Sequence, residues 1–169
     1  MAMNPFDQAS RYAAKLDPPG FLEWLLPGLS AALTFHGWLD TRTLPFPGEP
    51  DRTGDTVARL CTNTDPRLWW ALALEFQSEP HHEMFGRVLE YLGRAWRECR
   101  PTDERGSRFE VGAVVINLTG TGHTSRDMVP PGQPGVRTCL QVAERNLAAE
   151  DAAATLAGRW PDACCRGYR

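Results

Sequence analysis

The stretch Trp69-Trp70-Ala71-Leu72-Ala73-Leu74-Glu75-Phe76-Gln77-Ser78 alternates with a period of two, which is the signature of a β-strand and not of a helix. Trp70, Leu72, Leu74 and Phe76 fall on one face, and Trp69, Ala71, Ala73, Glu75 and Gln77 on the other. The bulky face reads as core. The opposite face carries small alanines and then a carboxylate and an amide, about 6.5 to 7 Å apart along the strand. It therefore reads as a site, not as a packing surface. A carboxylate that ends an apolar strand is costly to bury unless it is paired or liganded, so Glu75 is the first candidate functional residue.

Outward from this strand, residues 81–99 read as a helix, with Met84, Val88, Tyr91, Leu92, Ala95, Trp96 and Cys99 in one apolar stripe. Ser78 or Glu79, just before Pro80, suits its start. Its opposite stripe is Glu83, Arg87, Glu90, Arg94 and Arg97, either a solvated face with i,i+4 pairs or a row of arginines facing phosphate. Upstream, Asp55 to Leu60 alternates weakly and reads as a strand, while residues 45–54, rich in Pro and Gly, read as loop. Residues 5–16 carry Phe6, Ala9, Tyr12, Ala13 and Leu16 at helical spacing, and Phe21 to Leu26 continues as a second helical run. Phe109 to Leu118 is almost continuously apolar and reads as a central strand covered on both faces. Thr119-Gly120-Thr121-Gly122-His123 lacks the GK[ST] ending of a phosphate loop and reads as a plain turn. Residues 127–136 read as a second loop, 138–142 as a short strand, and 147–157 as an Ala-rich helix capped by Asn146.

Composition narrows the functional classes. The 169 residues are 42% apolar and 23% charged, which suits one globular domain. The longest apolar run, Trp69 to Leu74, is six residues, against roughly 20 for a membrane span. Met1-Ala2-Met3-Asn4-Pro5 has neither the basic region nor the apolar core of a secretory signal, so the expectation is a cytoplasmic protein. Five cysteines with no CxxC pair argue against a disulfide framework or a zinc finger. The net charge of −3 neither advertises nor excludes a nucleic-acid groove. Lys15 is the only lysine among the 18 basic residues, so a mechanism needing a lysine beyond the N-terminal segment is unavailable.

The helix, strand, strand, helix, strand order, with an acidic residue opening the first strand and Glu-x-Gln ending the second, resembles the PD-(D/E)XK nuclease superfamily. Within it, Ala73-Leu74-Glu75-Phe76-Gln77-Ser78-Glu79-Pro80, followed by Met84, Arg87, Leu89 and Tyr91, resembles the Rpn family of recombination-promoting nucleases and transposase-like proteins. The resemblance runs from about Thr34 to Gly158 and is most specific over 73–91. It implies an α/β, restriction-endonuclease-like core, with a mixed central sheet flanked by helices in αβββαβ order, within a single domain over 1–158. Residues 159–169 fit nothing in the family, and the expectation is a tail following a truncation.

What the resemblance implies about activity is metal-dependent hydrolysis of DNA. Asp55 matches the aspartate that opens the first core strand, Glu75 the acidic residue of the second, and Gln77 stands where the superfamily usually has lysine. Two carboxylates, Asp55 and Glu75, on neighbouring strands make an oxygen-rich pocket suited to Mg²⁺ or Mn²⁺, and such an ion activates water for attack on a phosphodiester. Gln77 can orient water or donate to a phosphate oxygen, but it carries no charge and is no general base. Asp40 and Asp65 compete with Asp55 for the aspartate's role. Arg87 and Arg94 are the first candidates for contacts to the DNA backbone, and a homodimer would supply the two sites needed to cut both strands. His81-His82-Glu83 lacks the i,i+4 pairing of a metal helix and reads as surface. Two other classes stay open: a degenerate nuclease fold that binds DNA or a partner without cutting, and an interaction module exposing Trp24, Trp38 or Trp160.

Overall fold

Strand β5 (Trp69–Gln77) lies at the middle of a five-stranded mixed sheet in a computed structural model that describes residues 5–40, 45–46, 49–53 and 56–150. Its neighbour on one side is β4 (Thr56–Thr62), paired antiparallel, and beyond that lies β1 (Leu33–Trp38), again antiparallel. On the other side β6 (Glu110–Asn117) runs parallel to β5, and β9 (Ala143–Asn146) runs parallel to β6. The order is thus β1-β4-β5-β6-β9, and the pairing changes from antiparallel to parallel at β5.

Helices cover both faces. On one, Leu72, Leu74 and Phe76 of β5 meet Ala14 of α1 (Pro5–Leu16) and Phe21, Leu22 and Leu25 of α2 (Pro18–Leu25). A short helix, α3 (Leu29–Ala32), leads from there into β1. On the other face, Met84, Val88, Tyr91, Leu92 and Ala95 of α4 (Met84–Glu98) pack on Val57, Ala71, Ala73, Ala113 and Val115. The small residues of β5 are therefore what lets α4 approach the sheet. The alanine face is a packing surface as far as Ala73, and only its last two inward positions, Glu75 and Gln77, are polar. That corrects the reading of the whole face as a site.

Several boundaries differ from expectation for identifiable reasons. Helix α4 starts at Met84 and not near Pro80, because the His81 amide is taken by Gln77 Oε1 at 3.0 Å and the connection must first turn at His81–Glu83. Trp96 stays half exposed at the border of the buried stripe. Among the described side chains of α1, Ala14 is buried while Tyr12 and Leu16 face outward, and Phe6 lies outside them. The Pro/Gly-rich stretch read as loop contains a two-stranded ribbon, β2 (Pro45–Phe46) with β3 (Glu49–Thr53). The second such stretch begins with β7 (Arg126–Met128), which pairs with β8 (Thr138–Leu140).

The largest departure is β9. Residues 143–146 carry polar side chains on both faces, so no apolar alternation marks them as a strand. Arg145 ties the strand to α2 on its own face of the sheet, donating to the Trp24 carbonyl at 2.6 Å and pairing with Glu150 through both carboxylate oxygens. A short 3₁₀ turn, Leu147–Ala149, follows in place of the first turn of the expected Ala-rich helix, and Asn146 makes no capping bond to it. The rest of that helix and the 159–169 tail lie outside the described residues. Among the described residues no helix is long and apolar enough to cross a membrane.

Candidate functional site

The carboxyl ends of the parallel strands β5, β6 and β9 meet on the α4 side of the sheet. This is where open α/β sheets commonly hold ligands. In the β5–β6 register Gln77 is opposite Asn117, and in the β6–β9 register Asn117 is opposite Asn146. Three amide side chains therefore stand in one row across three strands. One step back along the strands, Glu75 is opposite Val115 and Val115 opposite Glu144.

Glu75 is buried, at 4% exposure. Arg87, one turn into α4, brings Nη2 to 3.9 Å from its carboxylate, and the Arg87 side chain is itself three-quarters covered. Charge neutralisation by Arg87 is one reason the carboxylate is tolerated there, because an isolated buried charge would be strongly disfavoured. Arg87 is thus turned towards the sheet and away from the outer row of arginines. Arg94, two turns on, pairs with Glu90 at 3.4 Å, as i,i+4 spacing suggests.

Gln77, at 6% exposure, has both ends of its amide engaged. Oε1 accepts from the His81 backbone amide, and Nε2 donates to Asn117 Oδ1, each at 3.0 Å. Asn117, fully buried, donates from Nδ2 to Glu144 Oε1 at 3.0 Å and to Asn146 Oδ1 at 2.7 Å. The 119–124 loop closes over this row: Gly122 N donates to Asn146 Oδ1 and Thr124 N to Glu144 Oε2, both at 3.0 Å. A Cβ on Gly122 would lie 2.5 Å from Asn117 Nδ2 and closer still to Glu144 Oε1. The loop holds no helix or strand, as read, and it covers the row so closely that a side chain at Gly122 would have to displace the Asn117 amide, the Glu144 carboxylate or the loop itself.

The three candidate aspartates separate by position. Asp65 lies in the β4–β5 connection, at the Trp69 end of β5, so six residues of strand, about 20 Å, separate it from Glu75. That distance removes Asp65 from any shared site with Glu75. Asp40 follows β1 at the Glu75 end, since the Leu39 amide donates to the Val57 carbonyl at 2.8 Å and Val57 pairs with Ala73. Asp55 lies outside the described residues. His81 and His82 stack on each other at the surface, with ring centroids 4.7 Å apart.

The structure thus brings Glu75, Gln77 and Arg87 to one end of the sheet and adds Asn117, Glu144, Asn146, Gly122 and Thr124. Asn117 had a sequence signal: it ends the apolar run Val114-Val115-Ile116 as Glu75 ends its own. Glu144 and Asn146 had none, because their strand carries no apolar pattern. No family model, curated protein or solved structure matches the chain.

Proposed function

We propose that the chain is a metal-dependent DNA endonuclease that hydrolyses phosphodiester bonds, built on a restriction-endonuclease-like core. The observation that carries this reading is Glu75-x-Gln77 at the carboxyl end of β5, where the sheet changes from antiparallel to parallel pairing. The succession of helix, three antiparallel strands, helix and parallel strand supports the αβββαβ order. The buried Glu75 carboxylate is a hard oxygen ligand of the kind Mg²⁺ or Mn²⁺ takes. Among the described residues, however, no group of three or more His, Cys, Asp and Glu could hold a metal ion. Glu75 alone does not build a metal centre, and Asp55 or Asp40 would have to complete one.

What the described side chains do is hold and orient. Arg87 keeps the Glu75 carboxylate in place, and the amide row holds Gln77 two residues along the same strand face. An amide N–H suits a phosphate oxygen, and it adds no base to the site.

One observation favours a second reading, in which the fold binds DNA or a protein without cutting. The Arg87 guanidinium beside Glu75 supplies the positive charge that a metal would otherwise bring. Supercoiled-plasmid nicking in Mg²⁺, Mn²⁺ and EDTA separates the two. The comparison is between the wild-type chain and the Glu75→Ala, Asp55→Ala and Asp40→Ala variants, each checked for folding by circular dichroism. Metal-dependent nicking that is lost in Glu75→Ala and in one aspartate variant supports the endonuclease. A folded wild type that is inactive in every metal removes that reading, and DNA affinity indifferent to EDTA would then support the binding module.

A further inference from the structure

The amide row has a direction, and the groups at its two ends set it. At one end the His81 backbone N–H can only donate; at the other the Glu144 carboxylate offers acceptor oxygens alone. Between them Gln77 and Asn117 each present one oxygen and one NH₂ group. Only one arrangement satisfies every contact: Gln77 Oε1 to His81, Gln77 Nε2 to Asn117 Oδ1, and Asn117 Nδ2 to Glu144 and Asn146. Turning Asn117 over would set its oxygen against the Glu144 carboxylate, and turning Gln77 over would set its NH₂ against the His81 N–H. The Glu144 carboxylate is itself held by the Thr124 amide and hydroxyl, at 3.0 and 3.2 Å.

The same inventory leaves something over. Both Asn117 Nδ2 hydrogens are used, whereas Gln77 Nε2 has two hydrogens and one partner among the described residues. We infer that Glu144 is a positioning residue which, acting through Asn117, fixes the orientation of the Gln77 amide so that one Nε2 hydrogen stays available to an anionic oxygen of a phosphodiester. The ligand class rests on the nuclease reading above; the orientation lock does not.

The test reads the lock without DNA or metal. Side-chain amide exchange of Gln77 and Asn117 is followed by ¹⁵N NMR in the wild type, in Glu144→Ala and, as a control at the exposed start of β6, in Glu110→Ala. In the wild type the two Gln77 Nε2 hydrogens exchange at different rates, one bonded and one not. In Glu144→Ala the slower one speeds up about tenfold, the order expected for losing one hydrogen bond, while backbone amides of β5 and β6 stay protected. Glu110→Ala leaves the Gln77 pair unchanged. Should Glu144→Ala not fold, Glu144→Gln keeps the shape but sets an NH₂ against either Asn117 Nδ2 or the Thr124 amide, and the difference between the two Gln77 rates shrinks. A Gln77 pair indifferent to both substitutions overturns the inference, whether or not the protein nicks DNA. Conversely, a wild type that never nicks but shows a Glu144-dependent Gln77 signature defeats the nuclease reading and leaves the lock standing.

Discussion

The two faces of β5 end differently. On the α1–α2 side the side chains stay apolar to the end of the strand, and Phe76 closes against Phe21 with ring centroids 6.3 Å apart. On the α4 side the same strand supplies Ala71 and Ala73 and then turns polar at Glu75 and Gln77. Both ends are buried, so exposure is not the difference. One face is stabilised by area removed from water and tolerates approximate partners. The other is stabilised only if every polar atom finds a specific partner, and losing one partner strands the rest. A buried end built in the second way is poor packing but a good place to hold chemistry, since its groups are held in a defined geometry.

The largest expected effect on this contrast is on the apolar face. Leu74, fully buried, should lose about 3 to 5 kcal/mol of unfolding free energy on truncation to Ala, from lost transfer energy and the cavity left behind. Urea denaturation measures this, and a loss below that of Asn117→Ala would invert the comparison. Asn117→Ala should cost about 1 to 3 kcal/mol, because the Gln77 donor and the Glu144 and Asn146 acceptors lose their common partner in a site with little water. If Asn117→Ala unfolds at the wild-type urea midpoint, the row is wet and the contrast between the faces fails.

Gly122→Ala should cost less, about 1 kcal/mol by overpacking, because the 119–124 loop can shift to relieve it. Its sharper signature is local: faster backbone exchange at Gly122 and Thr124 with β5 unchanged. The smallest effect is expected far from either face, at the β7–β8 ribbon. There Arg137 donates to Asp127, with Nε 2.7 Å from Oδ1. That hydrogen bond first, and the arginine's charge after it, hold the Asp127 carboxyl below its ordinary value of 3.8. Because the folded value is depressed, the pair's contribution is full above 3.8 and is lost as the pH falls through the folded value. Both side chains are exposed, so salt should screen the pair. Protection of the ribbon amides, relative to their intrinsic exchange, should fall only as the pH drops below 3.8, and Asp127→Asn should leave the global melting temperature unchanged at neutral pH.

Much of this was legible along the chain. Period-two alternation over 69–77 and the 3.6-residue stripe of Met84, Val88, Tyr91, Leu92 and Ala95 are local patterns. Local burial rules therefore place β5 and α4 almost where they are. Glu75 stood out as a carboxylate ending an apolar run, an anomaly that needs no partner to be noticed. Strand β9 did not, because Glu144, Arg145 and Asn146 are each satisfied by a group from elsewhere in the chain, and a polar four-residue strand has no periodicity to read.

The sequence by itself determined the central strand, the helix that covers it and the presence of a costly carboxylate at its end, because each follows from side-chain spacing within about 20 residues. Only the tertiary structure decided what satisfies that end. Gln77 Nε2, Asn117 Nδ2 and Gly122 N reach partners 40, 27 and 24 residues away, and a hydrogen bond between buried groups leaves no trace in spacing. It is set by strand register, and register is a property of the assembled sheet.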